Sequence, residues 1–159
     1  MAFAPSSMKL TSTAFAEGGR IPKKHTGEDV DVSPALAWTD APEGTRSFAV
    51  VCHDPDAPLV TPDGDYGFSH WVLYNIPADV TRLDEGDQRF TQGLKGTGQP
   101  GYMGPMPPPG HGIHHYYFWV LALSSEPNLE AGLSLSGLLS KVEPTLLGMN
   151  RLIGEYSRG

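Results

Sequence analysis

Three of the chain's six histidines lie in residues 107–118, PPPGHGIHHYYF, where a Pro- and Gly-rich loop runs into an aromatic segment. His111, His114 and His115 could bind a metal, act as a general base or donate to an anion. Neighbouring residues of a strand point to opposite faces, so His114 and His115 do not easily bind one metal. His111 and His114 have loop spacing and no cysteine partner, so we expect no metal site.

Two carboxylates follow an apolar run in HDPDAP, residues 53–58. Pro58 closes this segment, and its prolines exclude helix, so Asp54 and Asp56 lie on a stiffened bend. An ordinary Asp-Pro turn, in which each carboxylate bonds to nearby backbone, explains the pattern equally well. The segment alone therefore leaves a structural and a functional interpretation open.

A fourth histidine, His70, begins the apolar run in GFSHWVLYN, residues 67–75, as a core or a functional residue. The segment GTGQPG (96–101) matches a dinucleotide-binding pattern, but the Pro-rich sequence after it cannot open the helix that this motif needs. No phosphate-binding loop occurs, and no Ser or Cys sits beside the histidines in a nucleophile-like motif. We therefore expect a binding protein rather than an enzyme, without a cofactor.

The bulk composition indicates one globular domain over residues 1–159, with residues 1–7 a loose extension before Met8. Hydrophobic residues make up 39% and charged residues 18%, which is ordinary for a folded domain. The chain has 19 glycines and 15 prolines between aromatic and β-branched runs. Frequent glycine and proline residues between such runs favour short strands joined by turns.

The net charge of −7 and the isoelectric point near 5.2 argue against a nucleic-acid partner. No apolar window is long enough to span a membrane, and the N-terminus does not resemble a signal peptide. Cys52 is the single cysteine and lies in an apolar run, so we expect a buried side chain. These features predict a cytoplasmic protein.

The strand and helix patterns predict a mostly antiparallel β protein with a helical C-terminus. Residues 78–112 are expected to form a long irregular connection. Ser134 is a candidate helix cap, and Pro144 suits the first turn of a second helix. The predicted strands are 8–15, 35–38, 46–54, 68–77 and 114–123, and the predicted helices are 135–142 and 144–155.

Alternation along the strands places a polar side chain at one end of each apolar strand. His114 and Tyr116 share a face, opposite to that of His115. His70 is expected to share a face with Val72 and Tyr74. With Asp54 at the end of its own strand, these residues predict a pocket at one end of a sheet.

The segments DPDAP, SHWVLYNIP and GYMGPMPPPGHGIHHYYFWVLAL, in this order, resemble the phosphatidylethanolamine-binding protein (PEBP) family. The likeness runs over residues 9–156 and is greatest to the bacterial and archaeal branch called Raf kinase inhibitor-like proteins. It implies a large antiparallel sheet packed with a smaller sheet, with short C-terminal helices. It also implies a small pocket for phosphate-like or phosphoethanolamine-like head groups.

The resemblance also implies which residues form the pocket, and two positions depart from the family pattern. His115 stands where an arginine is usual. The absence of the arginine should remove an ion pair or a stacking contact behind the pocket. Met106 stands where a small residue is usual, with a backbone N–H near it as a donor. Asp54 could orient a histidine or accept from an ammonium. The implied ligand-binding residues are Asp54, Asp56, Pro58, His70, Met106, Pro108, His114, Tyr116 and Tyr156.

Three functions follow from this resemblance and these residues. The first is a small-anion binding protein that regulates a kinase or a protease. The second is an enzyme acting on a phospho-compound, with His70 or His114 as general acid–base. The third is a protein-interaction domain with a vestigial pocket. For the first function we expect anion binding to tighten below about pH 6.5, where an ordinary histidine gains its proton.

Overall fold

The computed structural model describes residues 4–62 and 64–159, which fold into two antiparallel sheets and short helices. One α-helix, α1 (Leu135–Val142), and two 3₁₀ turns, Lys23–His25 and Glu143–Thr145, occur in this part of the chain. The strands are β1 (Lys9–Thr11), β2 (Leu36–Thr39), β3 (Ser47–Asp54), β4 (Phe68–Pro77), β5 (Arg82–Leu83), β6 (Thr91–Gln92), β7 (His114–Leu123) and β8 (Leu146–Tyr156).

The larger sheet has the strand order β6-β4-β3-β7-β8, and the smaller has the order β1-β2-β5. Every neighbouring pair in both sheets is antiparallel. The predicted fold class, a large antiparallel sheet with a smaller one packed on it, is confirmed. No helix in the described ranges is long and apolar enough to cross a membrane.

The core has two layers, one on each face of the larger sheet. Between the sheets, Trp38 of the small sheet packs with Phe48 and Phe118 of the large one. On the opposite face, Leu138 and Val142 of α1 cover residues of β3, β4 and β7. Burying each large apolar side chain contributes about 1.5–3 kcal/mol, so both layers hold the sheet in place. Cys52 is buried in the first layer, as predicted.

The C-terminal region contains one of the two predicted helices. Ser134 caps α1 by accepting a hydrogen bond from the Gly137 N–H, as the sequence indicated. The second predicted helix, 144–155, is wrong, because this segment pairs with β7 as β8. Leu152 and Tyr156 alternate towards the inter-sheet core, and pairing satisfies the backbone groups of β7 that a helix would leave open.

The chain before Met8 was expected to be loose. Residues 1–3 lie outside the described residues. Ser6 donates its backbone N–H to the Met149 carbonyl at 2.8 Å, and Pro5 bridges Met149 in parallel. Residues 5 and 6 are therefore attached to β8.

Candidate functional site

The sheet topology collects the polar strand ends at one edge. β3 is the central strand, and it pairs antiparallel with both β4 and β7. The end of β3, at Asp54, therefore lies beside the beginnings of the two neighbouring strands. Those beginnings carry His70 on β4 and His114 with Tyr116 on β7. The sequence prediction that these four residues converge agrees with the structure.

A β-bulge in β4 turns His70 into this group. Cys52 pairs with Trp71, but the next residue, His53, pairs with Ser69, so His70 is an extra residue in β4. Such a residue interrupts the alternation of faces. The expectation that His70 shares a face with Val72 and Tyr74 is therefore wrong, because those two pack beneath α1 while His70 lines a cavity on the other side.

That cavity has a volume of about 360 Å³ and contains most of the predicted ligand-binding residues. Its predicted members are Asp54, Pro58, His70, Met106, Pro108, His114 and Tyr116. Asp56 and Tyr156 are not among its lining residues. The lining residues that are absent from the predicted ligand-binding set are Ala57, Leu59, Phe68, Met103, Pro107 and His111.

A chain of hydrogen bonds joins Asp54, His114 and His111. The His114 ring donates through Nδ1 to Asp54 Oδ2 at 2.7 Å, and both side chains are almost fully buried. The other ring nitrogen, Nε2, lies 2.7 Å from Nδ1 of His111, which is exposed on a turn. Asp54 Oδ1 accepts from the Asp56 backbone N–H at 2.8 Å. Asp54 thus fixes the tautomer of His114.

His70 is held in a different way. Its Nδ1 donates to the Met103 carbonyl at 2.5 Å, and the Phe68 and Tyr116 rings pack edge-on against it. Burial lowers the pKa of His70 to about 4, against the raising effects of the Met103 hydrogen bond and of Asp54. His70 is therefore neutral near pH 7. The proton gain expected below about pH 6.5 therefore does not occur at this residue.

The remaining polar group of the cavity is the Tyr116 hydroxyl. Burial raises the pKa of Tyr116 far above its ordinary value, with Asp54 contributing in the same direction. The phenol therefore stays protonated and able to donate. The lining residues of the described cavity include no lysine or arginine. The described residues also contain no group of three or more His, Cys, Asp or Glu arranged to hold a metal ion.

Asp56 lies outside the cavity because His115 holds it on the other face of β7. Its Oδ2 accepts from both the backbone N–H and the ring Nδ1 of His115 at 2.7 Å. The His115 Nε2 lies 3.5 Å from Glu155. The His115 imidazole therefore bridges the carboxylates of Asp56 and Glu155. This contact anchors the bend that follows β3.

We predict that Asp56→Asn lowers the free energy of unfolding at pH 7 by less than about 1 kcal/mol, because the pair is partly exposed. Burial acts to raise the pKa of Asp56, but the hydrogen bonds from His115 outweigh it, and the pKa is lowered. A lowered pKa stabilises the fold above about pH 4 and loses that effect as the pH falls further. Urea unfolding should therefore show a difference between variant and wild type at pH 7 that shrinks as the pH falls below about 4. A difference that stays constant or grows on acidification would contradict this account.

Tyr156, the last predicted ligand-binding residue, has other partners. Its hydroxyl donates to Glu28 Oε1 at 2.6 Å, and the Arg20 guanidinium lies 4.3 Å from its ring centre. It pairs with His114 in the sheet, but its polar end is turned to these groups. We therefore omit Tyr156 from the set of candidate ligand contacts.

Two of the lining residues outside the predicted ligand-binding set carried a signal in the sequence. Phe68 is two residues before His70 and opposite Asp54 in the sheet, so strand spacing pointed to it. His111 donates its backbone N–H to the Pro108 carbonyl at 3.1 Å, in a turn that returns its ring to His114. The Pro-Gly composition of that loop indicated a turn, but not where the histidine would point.

A larger cleft of about 580 Å³ lies beside Trp71 and Tyr102 and contains two carboxylates. Asp31 accepts from the Gly104 N–H at 2.7 Å, and Asp87 is paired with Arg89 at 2.7 Å. Both carboxylates already have partners within the protein. The smaller cavity, with a histidine nitrogen and a phenol available, is therefore the better candidate for ligand binding.

The sequence is similar to known proteins over most of its length. A family model described as phosphatidylethanolamine-binding protein matches residues 11–157. A UPF0098 protein of Aquifex aeolicus is 40% identical over 158 residues, which cover 95% of this chain and 89% of that protein. A UPF0098 protein of Methanothermobacter thermautotrophicus is 38% identical over 159 residues, or 96% of this chain and 100% of that protein.

Solved structures match closely as well. The crystal structure of a PEBP homologue from Chlamydia trachomatis has a TM-score of 0.87 and 35% identity, covering 96% of this chain and 98% of that chain. The structure of YbcL from Escherichia coli, described as a new member of the mammalian PEBP family, has a TM-score of 0.86 and 30% identity. It covers 97% of this chain and 100% of that chain. The family match over residues 11–157 spans every residue that lines the cavity.

Proposed function

Because the chain belongs to the phosphatidylethanolamine-binding protein family, we propose that its cavity binds a small phosphate-like or phosphoethanolamine-like head group. The observation that supports this most is the buried Asp54–His114 hydrogen bond beside the Tyr116 hydroxyl, in a cavity of about 360 Å³. A head group of this kind needs a few fixed polar partners within apolar walls. The walls here are formed largely by proline, methionine and aromatic side chains.

The polar groups suit such a ligand. The Tyr116 hydroxyl donates to a phosphate oxygen, and Asp54 holds the His114 ring so that its Nε2 faces the ligand. A phosphate oxygen that reaches His114 Nε2 replaces His111 as the partner of that nitrogen. Each hydrogen bond to a charged group contributes about 1.5–3 kcal/mol. The carboxylate of Asp54 keeps lone pairs that can accept from the ammonium of phosphoethanolamine.

We predict that His114→Ala and His70→Ala each weaken binding of phosphoethanolamine at least about tenfold. The first variant loses a contact to the charged phosphate, and the second loses a buried side chain that lines the cavity. Isothermal titration calorimetry at pH 6 measures the change. His115→Ala is the matched control, because it removes the neighbouring imidazole from the face outside the cavity. Equal affinity of the wild type and both cavity variants would exclude the assignment.

A second function, catalysis on a phospho-compound, is favoured by one observation. The Asp54–His114–His111 chain resembles the hydrogen-bonded arrangement of a general acid–base with its orienting carboxylate. Its test is turnover of a phosphoester panel that is lost in His114→Ala. Absence of turnover alongside retained binding would leave the binding function alone.

We extend the first proposal to regulation of a cytoplasmic kinase or protease, which the family resemblance implies. Leu59 and Met106 leave apolar side chains exposed where they line the cavity. Exposed apolar groups beside a ligand site are typical of protein contacts. If a partner docks there, saturating phosphoethanolamine should change its affinity, while a partner bound elsewhere should be unaffected.

A further inference from the structure

His70 presents one ring nitrogen whose hydrogen-bonding role is fixed by the protein. Its Nδ1 lies against the Met103 carbonyl, and a carbonyl oxygen only accepts, so Nδ1 carries the hydrogen. In the neutral ring, Nε2 then has a lone pair and no hydrogen. No residue in the described part of the chain donates to this atom. Burial disfavours the protonated ring, so His70 presents an acceptor to the cavity.

The groups around His70 also favour a ligand that donates a hydrogen bond to Nε2. The titratable side chains near it are Asp54 and His53 on β3 and His114 and Tyr116 on β7. Asp54 is a second acceptor, and both of its oxygens already receive hydrogen bonds. A fully deprotonated anion would place its own lone pairs against His70 Nε2. A ligand with a hydroxyl on its phosphorus would instead donate to it.

We propose that the cavity selects the singly protonated, monoanionic form of a phosphate monoester, whose P–OH group donates to His70 Nε2. This inference rests on the proposed head-group binding and makes His70 the residue that determines specificity. The Tyr116 hydroxyl, on the ring 5.2 Å from that of His70, donates to one of the unprotonated oxygens. The ligand therefore needs both a donor and an acceptor on the same head group.

The test uses two ligands of equal size and charge, methyl phosphate and methyl sulfate, titrated calorimetrically into the wild-type protein at pH 5. Both are monoanions there, but only methyl phosphate carries a proton on an oxygen. An unpaired buried acceptor is costly, so methyl sulfate is expected to bind roughly tenfold more weakly or worse. Equal affinities at pH 5 would overturn the inference and leave head-group binding intact. Failure of both ligands to bind would overturn head-group binding and the inference with it.

Repeating both titrations from pH 5 to pH 8 separates the effect of the ligand's proton on affinity from the effect of protons on the protein. Methyl sulfate does not titrate in this range, so its pH dependence reports the protein groups alone. The phosphate-to-sulfate affinity ratio should fall above about pH 6, where a phosphate monoester loses its second proton. A ratio that rises with pH would contradict the proposed donor.

His70→Asn tests the residue itself. The asparagine amide can keep the hydrogen bond to the Met103 carbonyl but places no acceptor at the position of Nε2. The phosphate-to-sulfate ratio at pH 5 should shrink towards one in this variant. A ratio equal to that of the wild type would assign the selectivity to another group. If the variant does not fold, the comparison of the two ligands on the wild type decides the question.

Discussion

Replacing Asp54 with asparagine is expected to weaken phosphate binding about ten- to hundredfold, the effect of losing one strong charge-assisted contact. The carboxylate accepts from the His114 ring and from the Asp56 N–H, one at each oxygen. An amide can accept at only one of these positions and presents N–H hydrogens at the other. His114 would then lose the carboxylate that orients its ring and fixes its tautomer.

Calorimetry with inorganic phosphate at pH 6 measures this loss, and the nitrogen chemical shifts of the His114 ring report the tautomer. Asp56→Asn is the matched control, since it makes the same chemical change two residues away on a carboxylate that faces His115. Its binding should stay close to that of the wild type. Equal losses in the two variants would mean that the bend as a whole, rather than the Asp54–His114 pair, governs binding.

The second large effect is expected from Gly104→Ala, with about 3 kcal/mol lost from the free energy of unfolding. An added Cβ would overlap the His25 carbonyl oxygen and lie 2.6 Å from Asp31 Oδ1. The first of these neighbours is backbone, so the segment would have to move. Met103 precedes this glycine and supplies the carbonyl that holds His70, so ligand binding should fall as well.

Thermal melting should show this as a decrease in Tm of roughly 6–12 °C. Gly98→Ala is a control in the same connection, because nothing lies within 4 Å of its added Cβ. That glycine has a φ of 81°, so alanine there costs about 1 kcal/mol through backbone strain alone. Melting temperatures that fall equally in both variants would exclude close packing as the cause.

Much of the cavity could be predicted from strand alternation, because β3 and β7 pair without a bulge. His114 and Tyr116 face the inter-sheet core and His115 faces away, as their positions in the sequence required. The end of β3 meets the beginnings of two antiparallel neighbours, which brings Asp54 to the same place. The family resemblance drawn from three ordered motifs is confirmed by the family match over residues 11–157.

The orientation of His70 could not be predicted, because an extra residue in a strand is visible only once the partner strand is known. The same limit applies to β8. Its leucines fit a helix as well as a strand, and the choice is made by the open backbone groups of β7. Asp56 is paired with His115, and Tyr156 contacts Arg20 and Glu28. No local sequence pattern indicates that these side chains come together.

Because of the bulge, His70 can be lost without a change in the pairing of the sheet. If residue 70 were deleted, the pairs Cys52–Trp71 and His53–Ser69 would follow one another in unbroken register. The sheet and both core layers would keep their residues, while the cavity would lose the acceptor that we assign to it. A lineage could therefore gain or abandon this ligand preference by a single codon insertion or deletion, without rebuilding the protein around it.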